Sequence, residues 1–310
     1  MAALFARSVP TAYLLLTLTA FFWAGNAIAG KLAVGHISPF LLTTIRWTMA
    51  TMILLPFAVK YLRRDWELIR SNLIFLAALG TIGFASFNNL LYLALNHTTA
   101  INVAIEQASM PLIVFALNFL LFGIRATGLQ ITGFILTLFG VALTVSNGDL
   151  SRLLSLQLNI GDVYMLIAVA AYGAYSVALS RKPQLHWLSF ITVLAIVALI
   201  ASLPYTFWEY STGKINFPDR QGWMVSIYTA IAPSILAQLF WIRGLDIIGS
   251  NRGGVFVNIV PIFASLMAIT ILGEAFRAYH AAAILLVLSG VWLSQRQPVK
   301  PTETPAKPID

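Results

Sequence analysis

The chain has 310 residues, 59% of them apolar and only 10% charged, with a mean hydropathy of +0.84. A water-soluble domain of that length needs far less apolar surface to build its core, so lipid is expected to solvate most of it. The net charge of +8 falls between apolar runs, where anionic lipid attracts it, and the absence of cysteine excludes disulfides, thiol catalysis and Cys-ligated metal.

A helix crosses about 30 Å of hydrocarbon with roughly 20 apolar residues. Ten such runs follow one another, at 11–30, 40–59, 72–95, 100–122, 128–146, 160–180, 187–207, 223–243, 252–272 and 278–294. Arg7 and the small residues around Ile28 imitate a secretory signal. The first run is too long for one and nine more follow, so it is read as the first spanning helix. Residues 1–10 then form a cytoplasmic N-terminus. The tail, 296–310, carries Pro298, Pro301, Pro305 and Pro308 and is expected to be disordered.

Retention of Lys and Arg on the cytoplasmic side sets the orientation. With the N-terminus inside, thirteen of the nineteen Lys and Arg are cytoplasmic, among them Lys60, Arg63, Arg64, Arg125, Arg181, Lys182 and Arg252. Five fall outside, among them Lys31, Lys214 and Arg277, and Arg46 lies within the second run. Both termini are therefore expected in the cytosol.

Shifting the chain by about 150 residues brings Leu95 onto Leu245, Pro111 onto Pro261, Gly123 onto Gly273 and Gly140-Val141 onto Gly290-Val291. Earlier in each half the shift is 148 to 149, aligning Pro56 with Pro204 and Trp23-x-x-Asn26 with Tyr172-x-x-Tyr175. Residues 11–147 and 160–295 thus read as two repeats. Because five is odd, the second repeat enters from the opposite side. The expected fold is an all-α membrane protein with ten transmembrane helices in two inverted five-helix repeats, an arrangement suited to alternating access.

Polar residues inside spans mark the candidate cavity, since each is costly in hydrocarbon. Arg46 and Glu106 sit at matched depth, which suggests a charge pair. Glu106 also reads as a proton site or a partner for a substrate ammonium. Asn102, Glu106 and Ser109 share one face of the fourth run, and Asn251, Asn258 and Ser265 one face of the ninth. Each of those runs carries a proline expected to kink it, Pro111 and Pro261. Asn88 and Gln238 occupy matched places in the third and eighth runs, Tyr92 following the first at i+4 and Trp241 the second at i+3. Trp23, Asn26, Tyr172 and Tyr175 do so in the first and sixth. The same residues have a plainer reading as helix-packing contacts. Gly25 and Gly30, Gly80-x-x-Gly83 and Gly253-Gly254 permit close helix approach.

His36, His97, His186 and His280 have no metal-ligand spacing, and no nucleophile elbow or Walker loop appears. No metal, no cofactor and no enzymatic activity are expected. A lipid-modifying enzyme or a receptor would need a reactive cluster or signalling domain that is not found.

Ala20-Phe21-Phe22-Trp23-Ala24-Gly25-Asn26, Pro39 with Arg46, Tyr92-Leu93-Ala94-Leu95, Thr98-Thr99-Ala100 with Pro111, and the matching Leu245, Ser250 and Pro261 resemble the drug/metabolite transporter superfamily. Gly273-Glu274 and Gly290 complete the likeness. Within its ten-helix branch of two EamA-type repeats, the chain is most similar to YddG-type exporters of aromatic and other amino acids. Ile124, where the second repeat has Glu274, departs from that pattern. The resemblance implies an inner-membrane bacterial carrier, working as a monomer, that exports amino acids such as aromatics, threonine and methionine. Its partners would be that solute and membrane lipid, with no nucleic acid. Export of lipophilic drugs or other small metabolites is the alternative. Sugar phosphates would call for more cations deep in the cavity than Arg46 alone.

Overall fold

The computed structural model describes residues 8–122, 128–149, 151, 159–248 and 254–295. The expected disordered tail, Ile124, Asn251 and Gly253 lie outside them. The regular structure of the described residues is entirely helical. It comprises α1 (Val9–Leu32), α2 (Pro39–Arg64), the short α3 (Trp66–Ser71), α4 (Leu73–Leu95), α5 (Ala100–Ala108) and α6 (Met110–Phe122). The second half contains α7 (Gly128–Val145), α8 (Ile160–Ala178), α9 (Trp187–Ser211), α10 (220–248), α11 (254–272) and α12 (Ala278–Gln295).

Six of these helices are long and apolar enough to cross a membrane, and α7, α11 and α12 are apolar but shorter. Large apolar side chains cover the outside, with Ile74 88%, Leu120 73% and Phe207 70% exposed. A surface of that kind is stable against hydrocarbon rather than water, which makes this a multi-pass membrane protein.

The expected run at 100–122 is not one helix. It breaks at Ser109, whose amide bonds back to Glu106 and Gln107, and Pro111 sits in the first turn of α6. Pro261 likewise stands in the first turn of the α-helical part of α11, where a 3-10 stretch (Gly254–Ile259) gives way to it. Both prolines thus occupy helix starts, where a missing N–H leaves no bond unmade, instead of kinking continuous helices. Wider helical turns interrupt α4 at Gly80–Ser86 and α10 at Ala232–Leu236, about 150 residues apart. Such π-turns commonly sit at functional sites.

α2 packs on α9 and α7 on α12; α1 rests on α10 and α11, while α8 rests on α4, α5 and α6. Exchanging the halves maps the α2–α9 and α7–α12 contacts onto themselves and the α1 contacts onto those of α8. Gly140 and Gly290, matched in the sequence, face each other's helices in the α7–α12 contact. A Cβ on Gly290 would stand 2.5 Å from the Gly133 carbonyl, and one on Gly140 would stand 2.9 Å from the Ala283 carbonyl. Backbone cannot yield as a side-chain tip can, so Gly290→Val is expected to cost about 1–3 kcal/mol. It should lower the thermal midpoint in detergent; an unchanged midpoint would show that the helices part freely.

Candidate functional site

Arg46 organises the centre of the bundle. Its Nε donates to the Ser234 hydroxyl at 2.7 Å, and its Nη1 donates to Asn26 Oδ1 (2.8 Å), Asn88 Oδ1 (2.7 Å) and the Tyr92 hydroxyl (2.5 Å). The Tyr92 hydroxyl in turn donates to Asn26 at 3.0 Å. These acceptors come from α1, α4 and α10, so one guanidinium ties three helices to α2. All are neutral, and Nη2 carries no hydrogen bond to any described residue. The π-turns set two of them, because Asn88 follows the wide turn of α4 and Ser234 lies within that of α10.

Beside Arg46 lies a cavity of about 700 Å³. Of the residues expected to form it, Trp23, Asn26, Asn88, Tyr175, Gln238, Trp241 and Asn258 line it, as do Arg46 and Tyr172. Two expectations are corrected. Tyr92 is buried behind Arg46, where it serves as the guanidinium's acceptor. Glu106 is wholly buried, lies off the cavity and makes no ion pair with Arg46, because α5 turns it toward α8. The wall is largely aromatic: Trp23 and Trp241 lie 5.3 Å apart, Tyr172 and Tyr175 5.0 Å, and Trp47 stacks on Phe84 at 4.7 Å. Gly83 makes room for this wall, since a Cβ there would fall 2.3 Å from the Tyr175 ring.

Trp47, Gln107 and Lys182 also line the cavity without having been singled out from the sequence. The spacing of Trp47 next to Arg46 was a usable signal; Lys182, in a loop, offered none. Arg46 and Lys182 are cationic, and no carboxylate is among the described lining residues. The cavity therefore presents positive charge at one level and aromatic surface around it.

It reaches the end of the bundle that carries Lys182 and Leu179. The opposite end is closed by bonds between the halves. Glu209, at the end of α9, accepts from the Ser38 hydroxyl (2.7 Å) and the amides of Phe40 (3.1 Å) and Leu41 (3.0 Å) at the start of α2. Ser38 holds the N-cap position yet makes no cap bond, because Glu209 does that work from the other half. Gly273, in the left-handed conformation at φ 68°, stops α11 and turns the chain into Glu274. That carboxylate accepts from the amides of Ala100 (2.8 Å) and Ile101 (3.1 Å), at the start of α5. At the same end, within the first half, Lys31 donates to the carbonyls of Leu95 and Thr98 at 2.8 and 2.7 Å.

In the loops of that end, Asp219 accepts from the Gly222 amide at 2.9 Å and from His36 at 2.7 Å. Those donors hold its carboxyl below the usual aspartate range. Its contribution is present above the ordinary value of about 3.9 and lost only as pH falls through the depressed one.

A many-helix membrane bundle around a polar-centred cavity, closed at one end and reached from the other, defines a solute carrier. The EamA-like transporter family matches the chain twice, at residues 10–146 and 159–295, so the chain belongs to that family. Its members are transporters, not enzymes. An uncharacterised transporter of Archaeoglobus fulgidus is 27% identical over 283 residues, covering 91% of this chain and 96% of that one. The uncharacterised transporter YyaM of Bacillus subtilis is 24% identical, covering 90% and 92%. A solved crystal structure with 18% identity superposes with a TM-score of 0.60 over 92% of this chain and 96% of its own, a likeness of fold alone.

Proposed function

We propose that this transporter carries a small solute combining a carboxylate with an apolar or aromatic body, an aromatic amino acid above all, and exports it by alternating access. The observation behind this reading is Arg46: a buried guanidinium on the cavity wall, hydrogen-bonded among the described residues only to neutral groups, with Nη2 engaged by none of them. A charge so placed is costly unless an anion joins it, and a planar fork suits a carboxylate. Gln238 and Asn258 line the same cavity with amides that suit an ammonium, and Trp23, Trp241, Tyr172 and Tyr175 suit an aromatic side chain.

The reciprocal contacts between halves, and a family match to each half, favour two inverted repeats of five spans. With both termini cytoplasmic in a bacterial inner membrane, Lys182 marks the cytosolic end and this state faces inward. The protein would act as a monomer. Lipophilic-drug export keeps the aromatic wall in its favour, but a cationic drug would meet Arg46 and Lys182 with no carboxylate to offset them.

Proteoliposomes holding only this protein decide between these, by counterflow of phenylalanine, threonine, a sugar phosphate and a cationic dye. Phenylalanine is expected to exchange fastest. Exchange of the dye with no amino acid moving would replace this reading with the drug one.

A further inference from the structure

Asp162 opens the first turn of α8 and is fully buried, as is Glu106 on α5. The Thr98 hydroxyl donates to Asp162 Oδ1. No N–H or O–H reaches Asp162 Oδ2 or either oxygen of Glu106. The two carboxyls meet across the α5–α8 contact as side-chain neighbours. Two ionised carboxylates in that position would leave three oxygens without donors and two negative charges without a cation. One proton between them supplies the missing donor and removes one charge.

The other elements packed on α5 offer no substitute. Lys31 of α1 is spent on the carbonyls of Leu95 and Thr98, and Glu274 after α11 on the amides of Ala100 and Ile101. The Tyr92 hydroxyl of α4 is held by Asn26 and Arg46, and His280 of α12 accepts from the Arg277 amide. On α8 itself, Tyr164 lies against the His97 ring. α6 and α7 carry no ionisable side chain.

We infer that Glu106 and Asp162 form a proton-binding site separate from the solute cavity, holding one shared proton in this state and releasing it when α5 and α8 part. Glu106 belongs to the first half and Asp162 to the second, and their contact lies toward the closed end. Opening that end separates the carboxyls and admits water, so each ionises and the proton leaves on that side. Reclosing recaptures one. Release and recapture take place on the same side, so the proton is not carried across but makes the balance between the two states depend on the pH of that side, a consequence that rests on the alternating-access reading while the site does not.

Two measurements on the purified full chain separate the site from its consequence. Infrared difference spectra at pH 7 between wild type and Glu106→Gln, and between wild type and Asp162→Asn, are expected to show the carbonyl stretch of a protonated carboxyl in the wild type alone. In proteoliposomes, raising the pH by one unit on the side of the closed end should shift the population of the state open there by up to about tenfold, read as a change in phenylalanine counterflow rate. In both variants the counterflow rate should no longer follow that pH. A wild type lacking the carbonyl band, or variants with an undiminished pH response, would overturn the inference. If no solute moves at all, the transport reading falls and the infrared result alone decides the proton site.

Discussion

Arg46→Gln is expected to weaken phenylalanine counterflow about ten- to a hundredfold in apparent affinity, and Arg46→Lys to restore little of it. A hydrogen bond to a charged group contributes about 1.5–3 kcal/mol, and tenfold corresponds to about 1.4 kcal/mol. Lysine keeps the charge but loses the fork. Arg46 spends Nε and Nη1 on Ser234, Asn26, Asn88 and Tyr92 while Nη2 has no partner among the described residues, and a single ammonium cannot hold those acceptors and a solute carboxylate together. Because the same bonds join α1, α4 and α10 to α2, the thermal midpoint must be recorded alongside. Phenethylamine, which lacks the carboxylate, separates the two roles: its weak binding should not worsen in Arg46→Gln. A normal phenylalanine KM in a well-folded Arg46→Gln protein would refute the anchor.

The double variant Glu209→Gln, Glu274→Gln should shift the resting protein toward the state open at the opposite end. Each carboxylate sits on the exposed amides of a helix start in the other half, where negative charge contributes up to about 2 kcal/mol in partly buried geometry. Losing both charges therefore alters the balance by roughly 2–4 kcal/mol, about 30- to 1,000-fold in population. The chain contains no cysteine, so a single reporter is free of background. Ala29→Cys, buried on α1 toward the closed end, should react slowly with an impermeant maleimide and at least about tenfold faster in the double variant. Equal rates would mean these carboxylates do not hold the end shut. At the place matching Glu274 in the first half stands Ile124, which is not acidic, whereas Glu209 has a counterpart in Asp65 at the end of α2, which accepts from the His186 amide at the start of α9 at 2.9 Å. A carboxylate matching Glu274 is therefore what the first half lacks.

Local composition determined a good deal of this protein. Apolar run length marked the helices, the 150-residue offset paired Gly140 with Gly290 and Asn88 with Gln238, and costly polar residues inside spans pointed to Asn26, Arg46, Asn88, Gln238 and Asn258 on the cavity wall. Those signals are legible because hydrocarbon thickness and helical period act on neighbours in sequence. Partner choice was not legible. Arg46 and Glu106, matched in depth, were expected to pair, yet helix rotation turns one to Asn26, Asn88, Tyr92 and Ser234 and the other to Asp162. Glu209, unremarked at the end of its run, finds its amides 168 and 169 residues away. The breaks at Ser109 and before Pro261, and the wide turns of α4 and α10, likewise answer to packing between halves. Sequence spacing gives a side chain's depth; only tertiary structure decides which neighbour it faces, since that depends on how each helix is rotated against the others.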